Sequence, residues 1–132
     1  MFSGVEHVAI ASANPQHLAK WYVENLEFRK IYEVDGVCFV KAANGAILEM
    51  IPAQKDHVAT GMPGRYQMDD PGLRHMAISV ADFDHAYQSL KDKEVSFVNE
   101  PYATPQGNRV VFFTDCEGNL LHLIQRIWPL PE

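Results

Sequence analysis

Apolar residues recur along this chain with two periods, an alternation that marks strands and a spacing of three to four that marks helices. Residues 5–11 alternate and are rich in small and branched side chains, which predicts a strand buried on both faces. Asn14-Pro15 supplies a helix cap and first-turn pair. Leu18, Trp21, Tyr22 and Leu26 then form one stripe, predicting a helix over 15–25. Residues 28–34 and 37–42 alternate around Asp35-Gly36, a strong hairpin signal, and Asn44-Gly45 leads into a fourth strand over 46–51. Residues 52–72, with three Pro and three Gly, break the pattern and read as a connection. Beyond it, 73–80 reads as a strand, and Asp82 caps a helix whose stripe is Phe83, Ala86, Tyr87 and Leu90. Three strands are predicted over 95–99, 110–114 and 120–125, with a loop over 101–108.

The two halves repeat each other. EHVAIASANPQH from Glu6 and RHMAISVADFDH from Arg74 match in step, setting His7 against His75 and His17 against His85. Gly45 precedes Glu49 by four residues, and Gly118 precedes His122 by four. Each half therefore runs strand, helix, strand, strand, strand. The expected fold is a single α+β domain of two βαβββ modules, at about 1–53 and 72–132, joined by a linker over 54–71.

Strand parity groups the chemistry-bearing residues. If His7 faces a cavity, so do Val5, Ala9 and Ala11, while Val8 and Ile10 face the helix. The same rule sets Ala77 and Ser79 beside His75, Ile47 and Ile51 beside Glu49, and Leu120 and Ile124 beside His122. A carboxylate within ILEMI is costly to bury alone, so Glu49 calls for a cation, a metal or a raised pKa. His7, Glu49, His75 and His122 are thus the candidate metal ligands. Their mixed nitrogen and oxygen donors suit a divalent Zn, Ni, Fe or Mn ion. His17 and His85, early on the helices, and His57, in the linker, stay outside this set.

Composition narrows the partners. A net charge of -6 with scattered Lys and Arg argues against nucleic acid. There is no secretory signal or apolar run of membrane length, so a cytoplasmic protein with no membrane partner is expected, and with it reduced thiols at Cys38 and Cys116.

At VEHVAIAS, AILEMI, LRHMAISVADFDHAYQSL and the closing DCEGNLLHLIQR, the chain resembles the vicinal oxygen chelate superfamily of glyoxalases, bleomycin-resistance proteins and extradiol dioxygenases. The resemblance implies modules whose sheets form a cup around a divalent metal, with one ligand from the first and last strand of each module. Those positions fall on His7, Glu49, His75 and His122. It also implies a homodimer and a small-molecule substrate. One departure stands out, because the family's metal enzymes usually carry glutamate where this chain has His122. Three functions are in view. The first is a glyoxalase-like lyase or isomerase that moves a proton on a substrate with two adjacent oxygens, with Glu49 as base. The second is a non-haem iron dioxygenase-like oxidoreductase. The third is a metal-free protein that sequesters an apolar drug. Arg65, Tyr66, Arg74 and Arg109 are candidates to meet an anionic group. Three neutral imidazoles and one carboxylate around a divalent ion would leave a net positive charge and favour an anionic ligand.

Overall fold

The computed structural model describes residues 1–54 and 71–131. The expected linker, with His57, Arg65 and Tyr66, lies almost wholly outside the described residues. The chain divides into two compact units, Met1–Val58 and Ala59–Glu132.

The first unit contains β1 (Val8–Ser12), α1 (Pro15–Leu26), β2 (Arg29–Val34), β3 (Val37–Lys41) and β4 (Ile47–Pro52). Its four strands form one sheet in the order β1-β4-β3-β2, with β1 parallel to β4 and the other pairs antiparallel. Asn14 begins α1 as its composition predicts, the side-chain Oδ1 accepting the His17 N–H at 3.1 Å. Leu18, Ala19 and Tyr22 are buried against the sheet together with Val40, Leu48 and Met50. Asp35 and Gly36 both take positive φ (47° and 80°), the backbone that a two-residue hairpin turn with right-handed strand twist requires.

The second unit contains β5 (Met76–Ser79), α2 (Phe83–Asp92), β6 (Tyr102–Ala103), β7 (Arg109–Thr114) and β8 (Leu120–Gln125). Its sheet runs β5-β8-β7-β6 with β5 parallel to β8, repeating the first unit's topology. Asp82 caps α2 as Asn14 caps α1, accepting the His85 N–H at 3.1 Å. The turns before the last strands match bond for bond. Gly45 donates to the Ala42 carbonyl and Ala42 to that of Ala46, while Gly118 donates to Asp115 and Asp115 to Asn119. Glu49 and His122 therefore stand at equivalent places on β4 and β8.

Two expectations need correction. The opening strands begin one residue after His7 and His75, and β1 is not buried on both faces: Val8, Ala9 and Ala11 are exposed. It lies at the edge of its sheet, where the small side chains meet fewer neighbours. The strand expected over 95–99 is also split. Phe97 bridges Phe113 and Val98 donates to the Phe112 carbonyl (2.9 Å), but the Asn99 side chain then takes the Phe112 N–H at 2.9 Å in place of a backbone carbonyl. Pro101 brings no N–H to continue the ladder, and pairing resumes as β6 inside the expected loop.

Candidate functional site

In the first unit, β1 and β4 lie in parallel register with Ala9 beside Glu49, and the chain entering β1 brings His7 to the same face. His7 Nε2 stands 3.8 Å from Glu49 Oε1. The other ring nitrogen, Nδ1, lies 2.8 Å from Glu6 Oε1. A carboxylate oxygen accepts, so Nδ1 carries a hydrogen, and in the neutral ring Nε2 is the nitrogen with a lone pair, turned towards Glu49. Nε2 and Oε1, 3.8 Å apart, are too distant for a hydrogen bond. A tetrahedral ion at about 2.1 Å from each would hold them roughly 3.4 Å apart, so the pair needs to close by only about 0.4 Å to chelate.

In the second unit, His122 sits mid-strand on β8 and is 7% exposed. Its Nδ1 donates to the Leu123 carbonyl at 3.1 Å, again leaving Nε2 to accept or ligate. The His75 ring lies 4.7 Å from it, centroid to centroid. Burial pushes the His122 imidazole below its ordinary value of 6.5, with His75 and Arg126 adding to the effect and the Leu123 carbonyl opposing it. Desolvation lowers His75 as well, although that residue is exposed on its strand. The larger effect is expected at His122, where water screens less. Both imidazoles are thereby kept neutral at neutral pH, the form that binds metal.

Each unit thus brings its own two candidates together on one face. Among the described residues, no group of three or more His, Cys, Asp or Glu side chains stands so that it could hold a metal ion. Each pair by itself carries donor types that divalent transition metals take, nitrogen with oxygen in the first unit and two nitrogens in the second.

Sequence reasoning missed the aromatic partner of each pair. Phe39 on β3 stands opposite Glu49 and packs edge-on to His7 at 6.0 Å. Phe112 on β7 stands opposite His122 and touches both imidazoles, at 4.9 Å from His122 and 5.5 Å from His75. The signal was present in the repeat, since each phenylalanine precedes its last-strand partner by ten residues. Around Phe112, the same face of the second sheet carries buried Val110, Leu120 and Ile124. Of the expected anion-binding residues, Arg109 bonds Asp84 at 2.7 Å and lies over the Phe83 ring, and Arg74 bonds the carbonyls of Pro71 and Gly72.

The family model of the Glyoxalase/Bleomycin resistance protein/Dioxygenase superfamily matches residues 4–123. The chain belongs to this superfamily. Solved structures of the superfamily's fold cover nearly all of it. Lactoylglutathione lyase from Agrobacterium tumefaciens is 15% identical with a TM-score of 0.69, covering 97% of this chain and 98% of its own. TnmS3, an antibiotic binding protein from Streptomyces sp. CB03234, is 19% identical with a TM-score of 0.73, covering 94% and 96%. The oxidase ChaP-H2 is 18% identical with a TM-score of 0.70, covering 97% of each chain. At these identities the likeness is one of fold. The comparison with curated proteins returned no match. Among the described residues no helix is long and apolar enough to cross a membrane.

Proposed function

We propose that this superfamily member is a metal-dependent lyase or isomerase of glyoxalase type, acting on a small substrate with two adjacent oxygens. His7, Glu49, His75 and His122 would hold the ion, whether Zn, Ni, Fe or Mn. The observation that carries the reading is the repeated pairing: the histidine just before the first strand meets a last-strand donor in each module, at 3.8 Å between His7 and Glu49 and with rings 4.7 Å apart for His75 and His122. A divalent ion bound there supplies a Lewis acid that polarises a carbonyl and acidifies the neighbouring C–H. Glu49 is the one carboxylate of the four, so it takes the proton from that carbon and returns it to the adjacent one. The buried His122 imidazole, held below its ordinary value by desolvation, stays unprotonated and so does not compete for the proton near neutral pH. Phe39 and Phe112 shield the two pairs from water on one side, which strengthens electrostatic interactions there.

Elemental analysis of the purified protein tests this directly. About one transition-metal ion per chain, removable by chelator with loss of proton exchange on an α-hydroxyketone or hemithioacetal, is the expected result. Glu49→Gln should retain part of the metal and lose turnover. A protein whose activity on such substrates survives Glu49→Gln would end the proton-transfer role.

A second reading, an apolar-ligand sequestering protein, is favoured by the apolar face of Val110, Phe112, Leu120 and Ile124. Ligand affinity unchanged by metal removal would select it. A homodimer accompanies either reading, and light scattering measures it.

A further inference from the structure

The two modules differ at the residue before the first-strand histidine, Glu6 in one and Arg74 in the other. Glu6 Oε1 accepts from His7 Nδ1 at 2.8 Å. A guanidinium has no acceptor, so Arg74 cannot do the same for His75, and its Nε and Nη2 are instead 3.4 Å and 3.3 Å from the Gly72 and Pro71 carbonyls.

We infer that Glu6 is a positioning residue for His7, fixing the Nδ1–H tautomer and the ring angle that directs Nε2 at Glu49. The inference rests on the metal-site reading proposed above. A carboxylate bonded to the far nitrogen of a ligating imidazole holds the ring in the orientation that ligation needs, and its loss weakens metal binding. The contact joins sequence neighbours, and the Glu6 side chain is 81% exposed, so it contributes little to global stability. Its consequence is local, on tautomer and metal affinity.

Long-range proton–nitrogen NMR on the metal-free protein at mildly alkaline pH, with His7 assigned by comparison with His7→Gln, reads the tautomer. Wild type and Glu6→Gln, whose amide oxygen still accepts, should show His7 protonated at Nδ1, and Glu6→Ala should move it towards Nε2–H. In calorimetric titration with Zn or Ni, Glu6→Ala should bind about tenfold more weakly than wild type, with Glu6→Gln in between and all three melting alike. A His7 tautomer that is the same in wild type and Glu6→Ala overturns the inference, as does equal metal affinity. If wild type takes up no metal, the metal-site reading falls, and the tautomer measurement still decides whether Glu6 orients His7.

Discussion

The Asp115 carboxylate accepts the backbone N–H groups of Glu117 (2.9 Å) and Asn119 (3.0 Å), and both its oxygens receive the Asn119 side-chain amide. It is 4% exposed, and the turn that it closes starts β8, the strand that carries His122. In the first module Ala42 stands in its place and offers no oxygen, so Asn44 caps Ala46 instead. Asp115→Ala should therefore leave two N–H groups without their acceptor and cost roughly 2–3 kcal/mol, measured by denaturant unfolding. Stability within about 0.5 kcal/mol of wild type would mean that water replaces the carboxylate at no loss. The sequence shows the turn here through Gly118, whose φ of 86° a Cβ resists, but not that Asp115 points inward. Contacts of that kind, like those of Glu6, Phe39 and Phe112, depend on which rotamer meets which neighbour, and residue type alone does not specify it.

Along β4, neighbouring side chains have opposite duties. Leu48 and Met50 are buried on the helix side, Met50 completely, while Ile47, Glu49 and Ile51 line the half-buried opposite face. Met50→Ala removes a fully buried side chain beneath α1 and should cost about 2–5 kcal/mol. Glu49→Ala, one residue away, should leave the melting temperature of the metal-free protein nearly unchanged while weakening the proposed metal binding. Equal thermal losses in the two variants would contradict the assigned faces. These faces were readable in advance, because a strand sends every second side chain to one side whatever its composition, and the glycine offsets aligned the modules. Element ends were less legible. Residues 95–99 predict a strand and 101–108 a loop, but Asn99 and Pro101 exchange ladder bonds for a side-chain bond and pairing resumes at Tyr102, a choice set by β7 and invisible from local pattern. Similarly, β1 carries the composition of an interior strand at the edge of its sheet.

For the whole molecule, the shifted groups define a stability window in pH for the metal-free protein. His122 lies below its ordinary 6.5 chiefly through burial. As pH falls past 6.5 the unfolded chain takes up a proton that the folded chain does not, so stability declines towards acid. Cys116 behaves in the opposite sense. Partial desolvation, with the Asp115 and Glu117 carboxylates beside it, pushes its thiol from 9.0 up to about 11. Burial raises Cys38 too, with Glu33 adding to it. Above 9.0 the unfolded thiols ionise while the folded ones keep their protons, so stability declines towards alkali as well. The melting temperature in chelator should therefore be flat between about pH 6.5 and 9 and fall on both sides. Cys116→Ser should flatten part of the alkaline limb and leave the acid limb alone, the reverse of His122→Gln. Because the Cys116 residue is exposed, water screens its carboxylate neighbours, which reduces its share of that limb. Saturating metal should raise the plateau and steepen the acid limb below about pH 6.5, since an ion on the folded imidazoles keeps them from taking up the protons that the unfolded chain takes. An acid limb whose slope does not change when metal is added would separate His122 from the proposed metal site, whatever activity the protein retains.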